Sequence, residues 1–543
     1  MNDRNKLLLL QLGLVLGVCY FFFFFGLGAF GLVGADEPRY AQIAREMLAR
    51  HDWIVPTLNG HAWLEKPVLL YWKVMNSYML FGVEDWAARV PAAAHATAMV
   101  LAIFFFMRRF RFTSELDAAM IAASSAGMIG FARAASPDML LSVPFAMAML
   151  CWWTWNQTAK RLWLIAFYAL LGIGALAKGP VSPALAVLVI GAYAALRRDG
   201  KLFVRSLSIP GFVLFFAIAL PWYLAVEHRV PEFFRVFLLQ HNLERFGTNL
   251  YQHSQPFWYY IPVFLLCLVP WTIFTIPALV QAGRAAFTPP RLQHGEPDPA
   301  QDDGLTGFLF VWTLVPILFF SISRSKLPGY ILPAIPASVL LTAEYLHRAE
   351  AVSRLKVALH ALLCALLLVG ALVAPFAMIK VQPPSLLGFG MAVSGGVIAL
   401  MVILMVRREG ARVLHFVTLV PAILGLAFLL RPAAPIIDKV LSARAIQEEL
   451  NRHVASTVPV AVFDVKRDIA YGLNFYRNQP IWHYENEGLW PDMPSRIPDE
   501  QHVVIVKQGS LGAVQAVLGH RGITPIGNFP PRHLEFFLVG PAK

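Results

Sequence analysis

Apolar runs of membrane-spanning length recur along most of this chain, near residues 7–33, 87–107, 116–135, 137–155, 162–177, 179–196, 207–227, 258–282, 305–322, 330–347, 357–379, 384–406 and 412–430. In lipid a backbone must satisfy its own hydrogen bonds, so such runs fold as helices. The pattern predicts an all-α polytopic membrane protein with about 13 transmembrane helices. Composition agrees, because 57% hydrophobic residues, 14% charged residues and a mean hydropathy of +0.58 leave too little polar surface for a soluble protein. The run at 7–33 exceeds the core of a secretory signal and reads as an uncleaved anchor.

The net charge of +12 does not imply nucleic acid. Its excess sits in short loops: Arg4 and Lys6, Arg108-Arg109, Lys160-Arg161, Arg197-Arg198, Arg284 and Arg291, Arg348 with Arg354, and Arg407-Arg408. These share one side of the predicted topology, which is therefore cytoplasmic, with the N-terminus there and the C-terminus outside. Cys19, Cys151, Cys267 and Cys364 all lie in apolar runs without metal or disulfide spacing and read as packing residues. No Walker A or dinucleotide fingerprint occurs, so no nucleotide cofactor is expected.

Two units follow: a transmembrane domain over 1–431 with external loops 34–86 and 228–257, and a periplasmic soluble α/β domain over 432–543. In the latter, Val458–Val465, His502–Lys507 and His533–Val539 read as strands, and Asp468–Arg477 and Ser510–Gly519 as helices. In the first loop, Tyr40, Ile43, Ala44, Met47 and Leu48 recur at helical spacing, predicting an amphipathic helix in the membrane interface.

The chemistry-bearing residues gather at the outer mouths of the spans. Asp36 follows the first span and Asp138 begins another; Asp36 also suits a helix cap ahead of Pro38. External paired carboxylates are what a glycosyl-transfer site uses. Arg39, Lys66, Lys178, Arg235, Arg245, Arg324 and Lys326 supply cations on the same face, with Tyr40 and Tyr330 beside them. Such convergence favours a phosphate-rich ligand over lysines that merely snorkel to the interface. Glu65, His241 and His253, from different loops, are a candidate divalent-metal set, zinc by donor type.

Taken together, Asp36-Glu37-Pro38-Arg39-Tyr40, Glu65-Lys66-Pro67, Ala177-Lys178-Gly179-Pro180, His241 through Phe246, Gln255 through Tyr260, and Lys326 through Pro333 resemble the bacterial aminoarabinose transferases of lipid A. These are polyprenyl-phosphate-dependent glycosyltransferases of the membrane C fold, related to protein O-mannosyltransferases. Relatives often carry Lys-Pro-Pro where this chain has Lys66-Pro67-Val68. The resemblance implies an undecaprenyl-phosphate-linked 4-amino-4-deoxy-L-arabinose donor, a lipid A phosphate as acceptor, and a bacterial inner-membrane location. It further implies that Lys66 and Arg245 hold the leaving phosphate, that Asp36 orients the acceptor or stabilises the oxocarbenium-like sugar, and that Asp138 or Glu65 binds the sugar amine. Two other readings compete: the same fold acting on a protein or glycan hydroxyl, with Asp36 as general base, and a polytopic lipid transporter.

Overall fold

In the computed structural model, residues 3–237, 255–287, 304–348, 353–379, 414–484 and 493–541 are described, with short backbone pairings at 292–293 and 296–297 and two isolated positions, 388 and 395. Helices occupy the predicted apolar runs that fall on these residues. Among them, seven are long and apolar enough to cross a membrane, or nine if each of two bent pairs counts as one span, against the larger number expected from hydropathy. The predicted run 384–406 lies outside the described residues.

Part of the shortfall has a local cause. The predicted span 116–135 is broken into Glu115–Ser124 and Ala126–Ala132 at Ser125, whose backbone is extended. Ser124 and Ser125 turn their hydroxyls back onto the Met120 and Ile121 carbonyls, both at 2.6 Å, a bond that competes with the helical ladder. Likewise, the run 258–282 forms helices Phe257–Cys267 and Thr272–Phe287, bent by 119° across a break that contains Pro270. The two breaks meet. The Ala126 amide donates to the Val269 carbonyl at 2.9 Å, and a Cβ at Gly127 would stand 2.7 Å from the Cys267 Cβ, so only glycine fits there.

Helix Pro328–Arg348 is the hub of the bundle, with 89% of its apolar window inside the protein, whereas Ile209–Arg229 has 22% and faces outward. The cysteines pack as expected: all four are free, and Cys19, Cys267 and Cys364 are buried.

Beyond Leu430 the chain bends into helices Ala434–Leu441 and Arg444–Leu450 and then builds a sheet of five strands. These are β1 (Val460–Phe463), β2 (Ile481–His483), β3 (His502–Lys507), β4 (Ile523–Phe529) and β5 (Leu534–Val539), in the order β2-β1-β3-β5-β4. The β1 pairings are parallel and the β5 pairings antiparallel. Strand period splits β3 between two cores: Val504 and Val506 pack with Val514 and Leu518, while Val503 and Ile505 join the main core with Ile469. Two strands were not expected. β2 is only three residues long, and β4 carries Pro525 with a register shift before Gly527, an irregularity confined here to an edge strand.

Candidate active site

The helix predicted to lie in the membrane interface is present, as Asp36–Ala49, but it is buried on nearly every side. It packs between helix Leu69–Phe81 and helix Arg467–Arg477 of the C-terminal domain. Its polar residues are satisfied by protein: Arg45 donates to the Phe475 carbonyl at 2.7 Å, and Glu46 accepts from Thr57 and the Asn59 amide, both at 2.8 Å. The periodicity was genuine, and the partner covering the polar face was a second protein layer.

Asp36 and Glu37 divide the work of this helix start. Glu37 is buried and accepts from the Val33 amide at 2.7 Å, the Ala135 amide at 2.6 Å and Arg89 at 2.7 Å. Arg89 in turn donates to the carbonyls of Leu27, Phe30 and Gly31. This buried pair ties the first span, the first loop and the approach to Asp138 into one piece. The Asp36 side chain is 59% exposed and is paired with Arg39 at 2.5 Å, so its charge is presented at the surface of the site and not spent on capping.

Arg39 is the most enclosed cation of the set. Its guanidinium lies 4.8 Å from the Trp63 ring centroid, 5.3 Å from Tyr471 and 5.5 Å from Tyr40. Burial works against its charge, but Glu65, with Tyr40 and Asp36, overcomes this and holds it protonated well above the ordinary arginine value. Glu65 lies 3.8 Å from Arg39 and accepts from Lys66 at 3.0 Å. Glu65 thus lies between two cations, and no group of three or more His, Cys, Asp and Glu gathers among the described residues, which do not include the other two members of the candidate metal set. His241, His253 and Arg245 lie outside the described residues.

A second cluster forms where three elements end together. Asp138, in the first turn of Pro137–Thr158, is ion-paired with Lys178 at the end of Arg161–Lys178, and accepts from Ser136 at 3.0 Å. The Lys178 ammonium lies 4.8 Å from the Tyr330 ring centroid. Gly329 lies directly against the Asp138 carboxyl, where any Cβ would be 2.4 Å from Cγ. The two clusters are linked through Glu37, whose carboxylate takes the amide of Ala135 just ahead of Asp138.

Lys326 is buried and donates to the Ser323 carbonyl; desolvation pulls its ammonium below the ordinary lysine value. Arg235 pairs with Glu232 at 3.1 Å on an exposed turn. Sequence reasoning missed Trp63, Tyr471, Arg89 and Gly329. Of these only Arg89 left a signal, as a charge at the start of an apolar run.

Carboxylates and cations alternating on one mouth of a helical membrane bundle, beneath a small α/β cap, define a polytopic protein of the C-type glycosyltransferase fold. Residues 9–237 match the family described as dolichyl-phosphate-mannose-protein mannosyltransferase. By sequence the chain is similar to bacterial undecaprenyl phosphate-α-4-amino-4-deoxy-L-arabinose arabinosyl transferases. It is 33% identical to that of Serratia proteamaculans over 59% of this chain and 56% of the relative. With a second such enzyme, from Pseudomonas fluorescens, identity is 31% over 65% and 59% respectively. The matched region thus spans under two thirds of either relative. The fold match is longer: ArnT from Cupriavidus metallidurans, solved bound to undecaprenyl phosphate, superposes with a TM-score of 0.77 over 98% of both chains at 23% identity.

Proposed function

We propose that the protein transfers 4-amino-4-deoxy-L-arabinose from undecaprenyl phosphate to a phosphate of lipid A, at the periplasmic face of the bacterial inner membrane. The modification lowers outer-surface negative charge and so confers resistance to cationic peptides such as polymyxin. The observation that carries the reading is the array Asp36–Arg39–Glu65–Lys66, joined through Glu37 to Asp138–Lys178–Tyr330. The names of the relatives supply the sugar and its carrier.

In the reaction, an acceptor phosphate oxygen attacks the anomeric carbon, the bond from that carbon to the carrier phosphate breaks, and undecaprenyl phosphate leaves with the electron pair. An acceptor phosphate is already anionic, so no side chain must take its proton. That fits Asp36, whose carboxylate is balanced by Arg39 and exposed to the site, in a role beside the positive charge that develops on the sugar. Lys66 stabilises the leaving phosphate by moving its charge away from Glu65, and Asp138 receives the sugar amine once Lys178 yields, a reading supported by their present ion pairs. Each carboxylate is thus stored against a cation until substrate arrives.

Mass spectrometry of lipid A from cells with and without the gene tests this reading. A pentosamine adduct dependent on the gene is expected. A gene-dependent sugar on a protein or glycan instead would move the chemistry to a hydroxyl acceptor, and altered lipid distribution without any adduct would favour transport.

A further inference from the structure

The cations on the site face are not electrostatically alike. Arg39, Lys66, Lys178 and Arg235 each have a carboxylate within ion-pair distance. Arg324 and Lys326 have none among the described residues; the buried Lys326 ammonium has only the neutral Ser323 carbonyl, and Arg324 is exposed. Both line one open cavity of about 490 Å³, together with Gln255, Phe257, Ile322 and Ser323. Between them Ser325 carries a buried hydroxyl that lacks a hydrogen-bond partner among the described residues. Two charges without a carboxylate partner among the described residues, at one cavity, call for an anionic ligand.

We propose that this cavity binds a monoester phosphate of the acceptor lipid's headgroup, with Arg324 and Lys326 as its ligands. The assignment rests on the reading of the protein as a transferase to a phosphorylated lipid. Charge selects the acceptor: a phosphate monoester carries roughly −1.5 to −2 near neutral pH, matching two free cations. The sugar-bearing carrier lipid is a phosphodiester with a single charge, and Lys66 lies on a different loop. Position agrees as well. The segment runs from Lys326 through Leu327, whose carbonyl accepts from the Tyr260 hydroxyl at 3.1 Å, directly to Gly329 and Tyr330 in the Asp138–Lys178 cluster. Phe257 and Ile322, 63% and 67% exposed, give the cavity an apolar wall suited to an acyl chain.

The test uses the full chain in lipid nanodiscs and the double variant Arg324→Gln/Lys326→Gln. Binding is read by native mass spectrometry with bisphosphorylated lipid A, fully dephosphorylated lipid A and phosphatidylglycerol, and KM is measured for each substrate. Binding of the bisphosphorylated lipid should weaken about tenfold or more, with its KM rising in step, since each charge-assisted bond contributes on that scale. Dephosphorylated lipid A should bind both proteins equally, and the donor KM should stay within about twofold. Unchanged lipid A binding, or an equal loss for phosphatidylglycerol, would overturn the proposal, as would a rise in donor KM instead. Because Lys326 is buried, Arg324→Gln alone serves as the variant that must fold; it should show the same selectivity at about threefold. Lipid binding can be read in a protein without transferase activity, so failure of this site and failure of the transferase reading give different results.

Discussion

The guanidinium of Arg39, on the first loop, rests 5.3 Å from the ring centroid of Tyr471, on the helix that covers it from the C-terminal domain. The domain that looks like an appendage in the sequence therefore forms one wall around a site cation. It is anchored there by Arg444, which bonds Asp85 at 3.1 Å and the Gly28 and Ala29 carbonyls at 3.2 Å, and by Tyr476, whose hydroxyl accepts from the Leu32 amide at 2.8 Å. Tyr471→Leu is expected to remove about 0.5–2 kcal/mol of cation–π stabilisation and to lower turnover by loosening Arg39. Tyr471→Phe keeps the ring face and should retain most activity. Equal turnover in Tyr471→Leu and wild type would show that the wall is packing alone.

Adjacent acids should fail in different ways. Asp36→Asn should abolish transfer while the protein keeps its melting temperature and its affinity for undecaprenyl phosphate, because an exposed carboxylate is replaced by an isostere. Glu37→Gln leaves Arg89 buried without its counter-charge and should cost about 3–5 kcal/mol, visible as lost expression or a lowered melting temperature. If the two variants were equally stable and equally inactive, the division of roles between them would be wrong.

Gly329 makes a steric prediction. Its missing Cβ is what lets the Asp138 carboxyl sit against the backbone. Gly329→Ala should displace Asp138 from Lys178, reducing kcat by about tenfold or more, at an overpacking cost of about 1–3 kcal/mol. Steady-state kinetics with a thermal melt would check it, and a variant with normal kcat would remove Asp138 from the reacting region.

Much of the bundle was legible because spanning helices are dictated by length and apolarity, which a sequence displays directly. What was illegible depends on who covers whom. The helix at Asp36–Ala49 shows its period in Tyr40, Ile43, Ala44 and Met47, yet nothing local reveals that Arg45 meets Phe475 or that Arg39 meets Tyr471, since these contacts join segments over 400 residues apart. The breaks at Ser125 and near Pro270 hid for a related reason: hydropathy averages over a window and passes through a serine back-bond or a bend without falling. The gathering of Asp138, Lys178 and Tyr330 had only a faint trace, as charges at separate span ends, and the gathering itself is tertiary.

The C-terminal domain carries its own pH dependence. His502 on β3 is buried, and burial, with Arg521 nearby, holds its imidazole below the usual histidine value, even though the Glu500 carbonyl bond at 2.8 Å favours the protonated ring. Its other ring nitrogen meets the Tyr484 hydroxyl. Because the folded value is depressed, the unfolded chain binds more protons in the window between the two values. Stability from this group is therefore complete above the unfolded histidine value of about 6.5 and is lost as pH falls from there towards the folded value. Hydrogen exchange on the full chain should show β3 amides opening more readily at pH 5 than at pH 7.5, and His502→Gln should flatten that difference while lowering protection at both. A wild-type chain whose β3 protection is the same at both pH values, after correction for intrinsic exchange, would show that His502 titrates alike in the folded and unfolded states.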